Sequence, residues 1–127
     1  MVLYLAIGGG IGALARFALG GWVVSWAGGG YPWATFAINV LGSSLLGFFN
    51  HSLPGISSDT RAFLTIGLCG GFTTFSTFDY EMLVLLQQEQ YLLAVTYSVG
   101  SVVACMGGVA GGMWVAAEWM PHREPTS

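Results

Sequence analysis

No stretch of this chain carries enough charge to cover a folded surface facing water. Lys is absent, the basic residues are Arg16, Arg61 and Arg123, and only 7% of the 127 residues are charged. Soluble globular domains are about one-quarter charged. With 54% of its residues hydrophobic, any fold the chain adopts has an apolar exterior, and lipid is the solvent that suits one. The acidic residues Asp59, Asp79, Glu81, Glu89, Glu118 and Glu124 are scattered, and no basic stripe is interleaved with aromatics. Nucleic-acid binding is excluded on that ground. Cys69 and Cys105 lie in apolar segments without metal-like spacing, so they read as small packing residues and support neither a zinc site nor a disulfide.

A helix needs about 20 mainly apolar residues to cross the hydrocarbon layer. The punctuation of the sequence allows four such crossings, giving an all-α, integral membrane fold in one domain over residues 1–127. The spans fall at about 2–27, 33–53, 60–87 and 91–119. Gly28-Gly29-Gly30-Tyr31-Pro32 closes the first, Pro54-Gly55 the second, and Gln87-Gln88-Glu89-Gln90 the third; Pro121 and a polar tail follow the fourth. Connections this short make neighbouring spans antiparallel and leave no extramembrane domain for catalysis, so no enzyme activity is expected. Residues 1–7 lack the basic n-region of a secretory signal, which makes the first segment a retained span.

Small residues recur four apart: Gly8 and Gly12, Ser43 and Gly47, Gly67 and Gly71, Gly107 and Gly111, Gly108 and Gly112. Between helices in lipid, close backbone approach through small residues replaces the hydrophobic drive, so the spans pack tightly, against each other or against another copy. Most Trp and Tyr residues sit near span ends, as interfacial anchors. Arg61 and Arg123 fall on one side and Arg16 inside the first span, a bias too small to fix orientation. His51 and His122 are near ends and need no special role.

Four features break the apolar background. The run Gly70-Gly71-Phe72-Thr73-Thr74-Phe75-Ser76-Thr77-Phe78 is a poor continuous helix, and Ser76 with Asp79 has capping-box spacing for a fresh start. It reads either as a broken helix, whose freed carbonyls are cation ligands, or as a kinked packing helix whose hydroxyls bond back to the i−4 carbonyls. Phe72, Phe75 and Phe78 share one helix face at spacing three, as core packing or as rings whose positive edges solvate a small anion. Asn39, with Ser43 and Ser44 below it, either bonds a neighbouring helix or turns its NH₂ donors to a pore. Arg16 either attracts anions or snorkels and bonds helix-end carbonyls.

These residues resemble the Fluc/CrcB family of fluoride ion channels. Gly8-Gly9-Gly10-Ile11-Gly12-Ala13-Leu14-Ala15-Arg16-Phe17 is similar to the family's opening motif, Asn39-Val40-Leu41-Gly42-Ser43 to its second-span motif, and the Gly70-to-Phe78 run to its broken third span. The resemblance implies an antiparallel, dual-topology homodimer with two separate fluoride pores in a bacterial inner (plasma) membrane. It also implies a structural sodium ion held by main-chain carbonyls at the positions of Gly70 and Thr73. Asn39, Phe75 and Phe78 match pore residues, Ser76 and Thr77 match hydroxyls beside the ion path, and Tyr97 and Ser101 match a polar track on the fourth span. Cys105 and Val109 stand where that track often carries Ser or Thr. Arg16 matches a family arginine with no role attached.

The alternative is a small dual-topology multidrug transporter. That class needs a Glu embedded in its first span, where this chain offers Arg16. A subunit that merely scaffolds partners is a third class.

Overall fold

The computed structural model describes residues 1–119, and every regular element among them is helical. The expected stop at Pro121, His122 and the contribution of Arg123 to orientation lie outside the described residues. Helix α1 (Val2–Ala27) ends where Gly28 turns to φ 74°, a conformation an L side chain rarely adopts. Helix α2 (Trp33–Ser52) starts after Pro32, and Gly55 at φ 84° redirects the chain behind it. Helix α6 (Tyr91–Trp119) follows a turn in which Glu89 takes φ 58° and the Gln90 N–H donates to the Leu85 carbonyl at 2.9 Å, closing the end of the preceding helix. Among the described residues, α1 and α6 are the helices long and apolar enough to cross a membrane.

Between α2 and α6 the chain is helical in pieces. Helix α3 (Ser58–Ala62) is capped by Ser57, whose hydroxyl accepts the Thr60 N–H at 3.2 Å. It runs into a π-helical segment, Phe63–Cys69, then into the single turn α4 (Gly70–Phe72). Thr73 and Thr74 are extended, with ψ 159° and 116°, and α5 (Phe75–Gln87) begins beyond them. The capping expectation for Ser76 and Asp79 is corrected here. Thr74 caps α5, its hydroxyl oxygen accepting the Thr77 N–H at 3.2 Å, so the helix restarts earlier than the Ser76 spacing suggests. The second correction concerns Phe72, Phe75 and Phe78. Two extended residues interrupt the helical phase, so Phe72 is buried in the interior while Phe75 is 73% exposed on the other side of the break.

Two seams hold the pieces. The broken segment lies against α1, where a Cβ on Gly67 would stand 3.1 Å from Gly8 Cα and one on Gly71 would stand 2.5 Å from the Gly9 carbonyl. Helix α2 lies along α6, the most extensive pairing among the described residues. There the Gly108–Gly112 stripe faces α2, whereas Gly107 and Gly111 face open space. A Cβ on Gly112 would collide with the Ser44 carbonyl and stand 2.8 Å from the Phe48 amide nitrogen, both backbone atoms that cannot swing away. Gly112→Ala is therefore expected to destabilise the protein by about 1–3 kcal/mol and Gly111→Ala to leave it unchanged. Thermal midpoints in detergent check this; equal shifts at both sites would refute the seam.

The remaining core is a small aromatic cluster where Leu85, Ala94 and Tyr97 meet Tyr31, Phe36, Phe78 and Met82. Outside it, large apolar side chains such as Phe17, Trp26 and Leu92 stand about four-fifths exposed, at 83%, 79% and 81%. A water-facing surface does not carry this many.

Candidate functional site: a groove at the helix break

The break is held open from two sides. Asn39, half-buried on α2, grips the extended residue Thr74 by both main-chain groups: its Nδ2 donates to the Thr74 carbonyl at 3.0 Å, and its Oδ1 accepts the Thr74 N–H at 2.9 Å. The N–H fixes the orientation of the amide, since only the oxygen can accept from it. On α1, Arg16 donates through Nε to the Gly71 carbonyl at 3.2 Å. This is the helix-end carbonyl bond that one of the two readings of Arg16 expects. One hydroxyl of the run does bond back along its helix, Thr73 Oγ1 to the Cys69 carbonyl at 2.9 Å, and the chain departs from helix directly after it.

These bonds release main-chain oxygens. In a continuous helix the Thr74 N–H would close a turn on the Gly70 carbonyl; here it is committed to Asn39. The Thr77 N–H would likewise close on the Thr73 carbonyl, but it donates to Thr74 Oγ1. The Gly70 and Thr73 carbonyls thus lose their helical donors together, and both residues line the same groove. Their oxygens form a hard donor set suited to an alkali or alkaline-earth cation rather than to a soft metal, so the residues present fit the implied sodium ion. No group of three or more His, Cys, Asp or Glu side chains able to hold a metal occurs among the described residues.

The groove measures about 440 Å³ and runs between α2, the break and α6. It gathers Asn39, Gly70, Thr73, Phe75, Phe78 and Ser101 from positions far apart in the sequence. Phe75 and Phe78 form a tilted ring pair, centroids 5.8 Å apart, beside it. Ser101 is buried at 5% exposure, and its hydroxyl has no hydrogen-bond partner among the described residues. A buried hydroxyl left unpaired costs about 1–3 kcal/mol, and Ser52 on α2 carries another among the described residues.

The other candidates sit elsewhere. Thr77 lines a separate cavity with Arg16, Thr35 and Thr74 on the opposite side of the break. Ser76 is exposed and lines neither cavity. Tyr97 is fully buried and meets the groove indirectly, its ring 5.0 Å from Phe78 and edge-on to Tyr31 at 5.6 Å. Sequence reasoning gave no role to Glu81, whose Oε1 accepts the Tyr97 hydroxyl at 3.3 Å. Glu81 follows Phe78 by one helical step of three, and that spacing was the available signal. Tyr31, expected as an interfacial anchor, also packs into this cluster, and burial pushes its phenol above the usual range.

With this geometry in place, the chain can be compared with known proteins. Residues 3–113 match the family described as CrcB-like protein, Camphor Resistance (CrcB). Relatives named fluoride-specific ion channel FluC include one from Phocaeicola vulgatus, 44% identical over 118 residues that cover 91% of this chain and 97% of the relative. Another, from Thermus thermophilus, is 43% identical over 120 residues covering 89% and 94%. One from Geobacter sulfurreducens is 38% identical over 120 residues covering 92% and 97%.

Proposed function

The chain belongs to the CrcB-like family, and from that premise we propose that it is a fluoride-selective ion channel, through which fluoride leaves the cytoplasm passively and the cell gains fluoride resistance. The observation that carries the reading is the groove, where an unpartnered hydroxyl, an amide donor and an aromatic pair converge beside a helix break.

Fluoride is small and holds its water tightly, so a path for it must replace hydration with donors. Asn39 spends one N–H on Thr74 and keeps the second for the groove; Ser101 offers its hydroxyl; Phe75 and Phe78 offer positive ring edges. Ring edges attract an anion weakly, which lets it leave again. Tyr97 would back the Phe78 ring, Ser76 and Thr77 would supply hydroxyls on the far side of the break, and Arg16 raises the local positive potential while holding Gly71.

The protein works as an antiparallel dual-topology homodimer of four-span subunits in the plasma membrane, a bacterial inner membrane. The weak arginine asymmetry and the unpartnered apolar faces support this arrangement. The Gly70 and Thr73 carbonyls of both copies would hold a structural sodium ion, which supplies positive charge where four carbonyl dipoles otherwise repel.

Purified protein in fluoride-loaded liposomes tests the function. Passive fluoride efflux without a proton gradient is expected; proton-driven cation export would indicate the multidrug transporter, and no flux a scaffold subunit. Efflux is expected to fall after prolonged dialysis into sodium-free medium. Full flux with no bound sodium would remove the ion's structural role.

A further inference from the structure

We propose that Ser43 is a further anion-contacting residue of the channel, its hydroxyl forming with the spare N–H of Asn39 a two-donor site for partly dehydrated fluoride. The inference deepens the channel reading and rests on it. A hydroxyl in mid-helix commonly bonds back to the carbonyl four residues earlier. Three others on α2 and the broken segment do so: Ser44 to Val40 at 2.9 Å, Thr65 to Arg61 at 2.7 Å and Thr73 to Cys69 at 2.9 Å. Ser43 does not. Its hydroxyl has no hydrogen-bond partner among the described residues, and it is half-buried on the wall of the groove.

Five hydroxyl side chains among the described residues line that groove, and the other four are committed or buried. Thr65 and Thr73 give their protons to the carbonyls behind them, and Thr74 gives its proton to Thr77 Oγ1 at 3.0 Å. Ser101 keeps a free proton, but its oxygen is buried. The Cys105 thiol is a weak donor, and Met106 has no proton to give. Ser43 therefore combines a free proton with access to the groove. It stands one helical turn from Asn39 on α2, and side chains at that spacing have Cβ atoms about 5–6 Å apart. Two donors so placed can close on one small anion between them. Gly42 brings them to the break: a Cβ there would collide with Thr73 Cγ2, so glycine lets α2 lie directly against it.

A pair of donors on neighbouring turns replaces two of the waters that fluoride sheds. Fluoride is the smaller and more basic acceptor, so it gains more from such a pair than chloride, which needs a wider gap. Ser43 is thus placed to set affinity for the ion as well as its rate of passage.

The experiment uses the full chain in liposomes, with efflux recorded over a series of internal fluoride concentrations. Ser43→Ala is expected to lower efflux by about tenfold and to raise the half-saturating fluoride concentration. Ser44→Ala is expected to conduct like wild type, because that hydroxyl faces the α6 seam at Gly108. Ser43→Thr and Ser43→Val have nearly the same shape and differ in the hydroxyl. The threonine variant is expected to retain most of the efflux and the valine variant to lose it, whatever alanine does to packing. Calorimetric titration of the purified protein with sodium fluoride reads the site without flux, and affinity is expected to fall by about tenfold in Ser43→Ala. Wild-type efflux and half-saturation in Ser43→Ala, or equal efflux in the threonine and valine variants, overturns the proposal. Absent efflux from the wild type refutes the channel reading instead, and equal fluoride affinity in wild type and Ser43→Ala then decides against Ser43 as well.

Discussion

Phe78→Ile is expected to cut fluoride efflux by about tenfold or more while the protein still purifies as a single species. Isoleucine keeps a large apolar group but has no ring quadrupole, so the variant separates electrostatics from packing. An oriented aromatic contact is worth about 1 kcal/mol beyond its buried area, and about 1.4 kcal/mol is a factor of ten in rate. Phe78 makes two such contacts inside the chain, with Phe75 at 5.8 Å and Tyr97 at 5.0 Å, and its loss therefore disturbs the neighbouring rings as well as the anion path. Phe78→Leu should behave like the isoleucine variant, whereas Phe78→Tyr, which keeps a ring, should retain most of the flux. The core-packing alternative expects the reverse: unstable protein, with normal flux in whatever survives. Well-folded Phe78→Ile conducting like wild type would remove the ring from the ion path.

Asn39→Asp carries the larger expected effect, because it acts on the anion and on the break together. One carboxylate oxygen would keep the Thr74 N–H, but the other would stand against the Thr74 carbonyl where an N–H now donates at 3.0 Å. An acceptor facing an acceptor at that depth costs about 1–3 kcal/mol. A full negative charge a few ångströms from the anion path adds about 4 kcal/mol at an effective dielectric of 20. Efflux is expected to fall by about a hundredfold or more at neutral pH. The sign of the pH dependence follows from the same geometry. Below the pKa of the new carboxyl, its O–H can donate to the Thr74 carbonyl and the charge is gone, so efflux should recover partly as the pH is lowered. Asn39→Ala serves as the comparison: it loses the clamp without gaining a charge and is expected to conduct poorly at every pH. A flat pH profile in Asn39→Asp, with flux near wild type, would place Asn39 outside both roles.

Helix existence and helix ends were legible because their causes are local. Pro32, Pro54-Gly55 and the Gln88-Glu89-Gln90 turn stop helices by their own backbone preferences, whatever surrounds them. The weakness of the Gly70-to-Phe78 run as a helix was legible for the same reason. The place where it gives way was not, since Ser76 and Thr74 offer hydroxyl caps of similar quality and the choice depends on which main-chain amide a neighbour captures. Ser101 illustrates the opposite limit: its placement on a polar track came from family resemblance, but only the packed helices reveal that its hydroxyl has no partner among the described residues.

The sequence by itself determined that the chain is helical, that its surface is apolar, and that the third segment is its weak point, because charge content, glycine and proline act over a few residues. The tertiary structure decided what that weak point becomes. Asn39 reaches Thr74 across 35 residues and Arg16 reaches Gly71 across 55, and these two contacts pull specific amides and carbonyls out of the helical ladder. The Asn39 contact takes the donor of the Gly70 carbonyl, the Thr74 cap takes that of Thr73, the break parts Phe72 from Phe75, and the packing of α6 along α2 brings Ser101 to the same groove. Which main-chain group bonds to which side chain is a property of packed helices, and no local propensity encodes it.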